Sequence, residues 1–232
     1  GDIGVLVRNA YNDQWREVVL LASGLASKKV REELVDQLIG QGDTEKAYRT
    51  RLHLLAASCL EASVEELGSN VKLQVQKRLS ALVPPKNFDE AKALTEAGES
   101  AVPYLARKDS YKLSVRQACV YALYHIASDE ALKVLESYAG DTDEGVQAQL
   151  WYGWNNFEEN NRTTYAQHIL SRTEYSFNTY PRSRIQMGDP PSIANFTSLE
   201  DIRYCTRLKN LSLKDCQQIT DLAPLSALSQ LQ

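Results

Sequence analysis

Apolar residues in the first third of the chain recur at the spacing of α-helices in four successive segments. The first predicted helix begins near Gln14, because Asn12 or Asp13 can cap its first turn. Its apolar face consists of Trp15, Val18, Val19, Ala22 and Leu25. Further helices are predicted over about 29–39, 44–60 and 70–82. The pattern therefore predicts a domain of antiparallel helices with short loops over residues 1–83.

After this region the apolar pattern acquires a period of 31 residues. Residues 115–126 align with residues 146–157 (146 − 115 = 31), and the helix that follows each of them aligns at the same offset. The small residues Ala122 and Gly153 occupy equivalent positions and would let two helices approach closely. A helical hairpin repeated in this way predicts an α-solenoid, in which each unit packs on its neighbours.

The helical period resembles HEAT-type repeats, which are built from pairs of helices. Asp109, Val115 and Arg116 resemble the Asp…Val-Arg signature of that family, whereas the second unit has Gln147 in place of the arginine. The resemblance covers about residues 89–170, and we assign HEAT-like helical repeats to residues 84–172.

A different repeat is indicated near the end of the chain. Residues 208–216 fit the leucine-rich-repeat template L-x-x-L-x-L-x-x-N/C, and apolar positions of residues 196–208 recur 23 positions later (219 − 196 = 23). We therefore predict the first leucine-rich repeats, with short parallel strands, over residues 193–232. Residues 173–192 are predicted to form a connector or cap. Because a single such repeat cannot bury its own apolar face, we expect the chain to be a piece of a longer protein.

The strand of the predicted leucine-rich repeat offers candidate ligand-binding residues. Leu211 and Leu213 would point inward, so Asn210, Ser212 and Lys214 would line the concave face. Solenoid proteins usually bind their ligands on that face. We therefore predict Asn210, Ser212 and Lys214 as ligand-binding residues.

Composition is ordinary for a globular protein, with 43% apolar and 24% charged residues. A net charge of −4 argues against non-specific nucleic-acid binding, and the absence of an apolar run of 18 residues argues against a membrane span. The four cysteines lie far apart within apolar patterns, which favours reduced thiols in a cytoplasmic protein, although an even number leaves a disulfide open.

The sequence lacks the common motifs for catalysis and for nucleotide binding. It contains no phosphate-binding loop, no dinucleotide-binding glycine pattern and no nucleophile elbow, and His53, His125 and His168 fall on separate predicted helices. We therefore predict no catalytic, cofactor-binding or metal-binding residues, and no enzyme activity in this chain. The aromatic cluster Trp151, Tyr152, Trp154 and Phe157 has two interpretations, which are packing between repeats and an exposed binding platform.

Residues 13–25, Asp-Gln-Trp-Arg-Glu-Val-Val-Leu-Leu-Ala-Ser-Gly-Leu, resemble a segment of NACHT-type STAND NTPases, the NLR-like receptors. In that family the pattern W-R-E-x-x-L-L-x-x-G-L begins the helical region that follows the nucleotide-binding module. Helical repeats and then leucine-rich repeats come after it, which is the order predicted here. No nucleotide-binding residue of the family has a counterpart in this sequence.

The resemblance implies a ligand-sensing and autoinhibitory region of a defence protein, in innate or antiphage immunity. Its expected partners are a protein or another pathogen-derived molecule and the NACHT module of the same parent chain. The alternative is a stand-alone scaffold of HEAT-like and leucine-rich repeats without an NTPase. A third hypothesis, a HEAT-like enzyme such as a lyase, would need a cluster of acid, base or nucleophile residues that the sequence does not show.

Overall fold

A computed structural model describes residues 3–62, 65–174, 198–209, 211, 213 and 218–231. The chain divides into two compact units, Gly1–Leu105 and Ala106–Gln232. The expectation of a mainly helical protein is confirmed. The domain boundaries predicted at residues 83, 172 and 192 come from the sequence pattern, whereas the two units are defined by contacts within the structure. The predicted boundaries stay predictions.

The first unit contains six α-helices among its described residues. They are α1 (Ile3–Asn9), α2 (Arg16–Leu25), α3 (Lys28–Thr44), α4 (Arg49–Glu61), α5 (Ser69–Leu79) and α6 (Phe88–Thr95), with 3-10 turns at Asp13–Trp15, Lys46–Tyr48 and Gly98–Tyr104. Helix α4 is the centre of this unit and contacts α2, α3, α5 and α6. All its residues from Leu52 to Cys59 are buried, so the hydrophobic effect assembles the unit around this helix.

The second unit carries two helical hairpins related by the predicted period. Its helices are α7 (Leu113–Ile126), α8 (Asp129–Leu135), α9 (Glu144–Gly153) and α10 (Glu159–His168), with 3-10 turns at Glu136–Tyr138, Trp154–Asn156 and Leu170–Arg172. Helices α7 and α9 begin 31 residues apart (144 − 113 = 31) and pack on each other. The repeat of helical hairpins predicted from the sequence is therefore present.

Polar side chains join the two hairpins at equivalent positions. His125 and Asn156 are 31 residues apart in the sequence, and the distance between His125 Nδ1 and Asn156 Nδ2 is 3.4 Å. Asn161 of α10 donates a hydrogen bond of 2.7 Å to the carboxylate of Asp129 at the start of α8. These bonds set the register of one hairpin on the next.

A buried carboxylate, Asp141, connects the elements of this unit. Its side chain has no solvent exposure, and it accepts hydrogen bonds from Arg107 Nε, at 3.3 Å, and from Arg116 Nη1. Gln147, which stands where the second repeat lacks the arginine, donates from Nε2 to the backbone carbonyl of Asp141 at 3.0 Å. Of the residues that resemble the HEAT signature, Arg116 binds Asp141, and Asp109 binds Arg107.

The aromatic cluster belongs to the core of the second unit. Trp151, Trp154 and Phe157 are each only 3% exposed. The indole N–H of Trp154 donates to the backbone carbonyl of Arg162 at 3.1 Å, and the Phe157 ring lies 5.1 Å from that of Tyr165. The packing interpretation is confirmed for these three residues, whereas Tyr152 is half-buried.

The prediction of leucine-rich-repeat strands is wrong for the part of the chain that the structure describes. That part contains no strand, and Leu211 and Leu213 have no regular secondary structure. The 23-residue repeat instead appears as two 3-10 helices, Glu200–Tyr204 and Ala223–Ala227, which contact each other. Their apolar residues are spaced by three, and the backbone bonds follow that spacing from Cys205 to Ile202 and from Leu228 to Leu225. A parallel strand also needs a neighbouring strand to pair with, and the described residues supply none.

Candidate functional site

Several exposed large apolar side chains of the first unit lie on its first three helices. Val18, Leu21 and Leu25 of α2 are 44%, 66% and 89% exposed, and Val5 of α1 and Val30 of α3 are also exposed. We call these five residues the α2 surface. Contiguous exposed apolar patches on a folded protein usually mark a place where another macromolecule binds.

Val18, Leu21 and Leu25 lie on one side of α2, opposite Arg16 and Ser23, and this apolar side is exposed rather than buried. The inner side of the helix is formed by Val19 and Ser23, which are buried. The Ser23 hydroxyl donates to the backbone carbonyl of Cys59 at 3.5 Å, and a Cβ on Gly24 would lie 2.8 Å from the backbone oxygen of Ala62. These small residues let α2 lie close to the C-terminal half of α4.

The predicted apolar face of this helix is divided by its burial. Val19 is buried, but Val18 and Leu25 are exposed. The reason is the close approach to α4, since Ser23 and Gly24 occupy the contact and the larger side chains turn outward. The apolar positions of Val18 and Leu25 were visible in the sequence, but their exposure was not.

Two grooves flank the exposed ridge of α2. One has a volume of about 530 Å³ and lies between α1 and α3, with Leu6 and Leu34 in its walls. The other has a volume of about 490 Å³ and is lined by Leu20, Ser58 and Glu96 among others. Leu25 lines both grooves, so a partner that covers this side chain would also reach the walls on either side.

The two ends of α2 carry opposite charges. Asp13, which is paired with Arg51, and Glu17 lie at its N-terminal end with exposed side chains. Lys28 and Lys29 follow its C-terminal end and are exposed too. Arg16 lies between the acidic groups and binds Glu17 at 3.0 Å and Glu96 at 3.3 Å. A partner of this surface therefore meets an apolar centre with an acidic and a basic end.

The ligand-binding residues predicted from the sequence, Asn210, Ser212 and Lys214, lie outside the described residues. Their assignment rested on a strand of a leucine-rich repeat. Their neighbours Leu211 and Leu213 are described and do not form a strand. The geometric basis of the assignment is therefore absent among the described residues.

Two of the histidines contact acidic side chains of other elements. His53 Nε2 lies 3.0 Å from Asp43 Oδ1, and Arg78 binds the other oxygen of Asp43 at 2.6 Å, so this cluster ties α3, α4 and α5 together. Burial lowers the pKa of His53 and outweighs the opposite effect of the Asp43 carboxylate. His168 Nδ1 lies 2.8 Å from Glu136, a different partner in the second unit.

Three cysteines, Cys59, Cys119 and Cys205, are buried free thiols. Burial raises the pKa of Cys59 to about 11 and that of Cys119 to about 11, and it raises the pKa of Cys205 as well. A thiol with such a pKa is protonated at neutral pH and is a poor nucleophile. Within the described ranges, no group of three or more metal-ligating side chains occurs, and no helix is both long and apolar enough to cross a bilayer.

The chain matches no known protein-family model, no curated protein and no solved structure. The resemblance to NACHT-type NTPases therefore rests on residues 13–25 and on the helical repeats, and it stays a prediction.

Proposed function

We propose that this chain is a protein-binding regulatory region and that the α2 surface is where it docks on another protein surface. The observation that carries the proposal is the exposure of Leu21 and Leu25 between two grooves. Complete burial of a leucine side chain contributes about 1.5–3 kcal/mol, so covering these two residues supplies several kcal/mol of docking free energy.

The position of the surface supports a particular setting for this docking. Helix α2 carries most of the segment that resembles the start of the helical region in NLR-like NTPases. We therefore propose that the chain regulates a nucleotide-binding module of the same parent protein, in innate or antiphage defence. Docking of that module on the α2 surface would hold the parent inactive. A protein or pathogen-derived ligand would activate it by binding the undocked state more tightly.

The test compares two leucine variants in the longer protein that the resemblance implies. Leu21→Asp places a charge in the proposed interface, and Leu73→Asp is its matched control, because Leu73 lies on α5 of the same unit and is 62% exposed. We expect Leu21→Asp to raise the basal NTPase rate at least about fivefold, since a buried unpaired charge is strongly unfavourable and opens the docked state. Leu73→Asp should leave the rate unchanged.

Two results would overturn parts of this proposal. Equal NTPase rates in both variants would show that the α2 surface does not restrain the module. A longer protein without NTPase activity would remove the regulatory role and favour the alternative, a helical-repeat scaffold that binds other proteins.

A further inference from the structure

We propose that the α2 surface also binds the α2 surface of a second copy of this chain, with the two α2 helices antiparallel about a two-fold axis near Leu21. The proposal rests on the proposed function, because both require the α2 surface to bind protein. It goes further by naming an occupant and the orientation of that occupant.

The spacing of the exposed residues suits pairing with an identical helix. Val18, Leu21 and Leu25 are separated by three and four positions, which is the spacing of the apolar seam between two packed helices. An axis near Leu21 places Val18 of each copy opposite Leu25 of the other. Ala22 flanks this strip, and such a small side chain lets two helices approach closely.

The charges at the two ends of the helix select the antiparallel orientation. Antiparallel pairing brings Asp13 and Glu17 of one copy near Lys28 and Lys29 of the other, at both ends of the contact. Parallel pairing would bring like charges together at each end, which costs free energy and disfavours that arrangement. The surface is therefore complementary to itself in one orientation only, as a two-fold interface requires.

The size of the contact predicts a weak dimer. Helix α2 has ten residues and is roughly 15 Å long, which is short for a stable interface. Stable interfaces bury about 1,200–2,000 Å² in total, and only the walls of the two grooves can bring the contact towards that range. We therefore expect a dissociation constant on the order of 10 μM rather than nanomolar.

Sedimentation velocity of the 232-residue chain across a concentration series measures this equilibrium. Leu21→Asp should raise the dissociation constant at least about thirtyfold, while Leu73→Asp should leave it unchanged, because only Leu21 lies in the proposed contact. The double variant Lys28→Glu/Lys29→Glu should raise it about tenfold. Adding Glu17→Lys to that double variant should recover much of the loss, because reversing both members of an interacting set restores their attraction.

Cross-linking distinguishes the orientations. A mixture of Val18→Cys and Leu25→Cys proteins should form disulfide-linked dimers between the two variants faster than either variant links to itself. Faster linking of like variants would overturn the antiparallel arrangement. A chain that stays monomeric at 200 μM or so, well above the expected dissociation constant, would overturn the self-pairing itself. The NTPase comparison of Leu21→Asp would still test the proposed function, since it needs no second copy.

Discussion

Replacing Asp141 with asparagine is expected to lower the free energy of unfolding by about 3 kcal/mol. The carboxylate is fully buried and accepts hydrogen bonds from two guanidinium groups, those of Arg107 and Arg116. Asparagine removes the negative charge and places a donor where the carboxylate accepts, so both arginines lose their buried counter-charge. The loss lies at the lower end of the range for broken buried ion pairs, because the arginine side chains are partly exposed to water.

Urea unfolding followed by tryptophan fluorescence measures this effect, since Trp151 and Trp154 lie in the core of the same unit. Asp109→Asn is the matched control. Asp109 also binds Arg107, at 2.7 Å, but its side chain is almost fully exposed, and exposed ion pairs contribute little to stability. We expect the unfolding midpoint of Asp109→Asn to equal that of the unchanged chain. Equal midpoints for both variants would contradict the central role of Asp141.

The second large effect is expected from Gly153→Ala at the end of α9, with a loss of about 2 kcal/mol. A Cβ at this position would lie 2.6 Å from Cβ and 2.8 Å from Cγ of Tyr124, which belongs to α7. These atoms lie close to the backbone of α7, so relief requires the two helices to separate. Helix propensity alone would make alanine more stabilising than glycine at this position. A loss of stability would therefore come from the contact with Tyr124.

Gly140→Ala serves as the comparison, because a Cβ at Gly140 meets nothing within 4 Å. Thermal unfolding of the two variants should show a lower midpoint for Gly153→Ala only. If Gly153→Ala is as stable as Gly140→Ala, the hairpins do not pack as closely as the structure indicates.

The helical repeats could be predicted because their determinants are local and recur. The apolar period and the small residues at Ala122 and Gly153 are visible in the sequence. Each has a direct physical meaning for helix packing. Gly153 in particular lies where the close contact between α7 and α9 occurs.

The C-terminal repeat could be found from the sequence, but its backbone conformation could not. A spacing of three between apolar residues fits the curved side of a leucine-rich repeat, which can itself consist of 3-10 turns. Whether the opposite side forms a strand depends on a neighbouring strand to pair with, which is a property of the neighbouring chain rather than of the template. The match of residues 208–216 to that template therefore did not determine the conformation of Leu211 and Leu213.

The candidate surface could not be predicted from the sequence pattern for a similar reason. Periodicity shows that α2 has an apolar side, but it does not show whether that side faces the core or the surface. The decision is made by Ser23 and Gly24, whose small size brings α2 against α4 and leaves Leu21 and Leu25 outside.

The most direct test of a docking role for α2 is the rate at which a thiol reagent modifies Leu21→Cys, compared with Leu73→Cys. The two leucines are similarly exposed in this chain, Cys59, Cys119 and Cys205 are buried, and a Cys216→Ser background removes the fourth cysteine, so the new thiols dominate the reaction. In the dilute 232-residue chain the two variants should react at similar rates. In the longer protein proposed above, the thiol of Leu21→Cys should react at least about tenfold more slowly, because the proposed docking excludes the reagent. Equal rates in the longer protein would contradict the assignment of α2 as a docking surface.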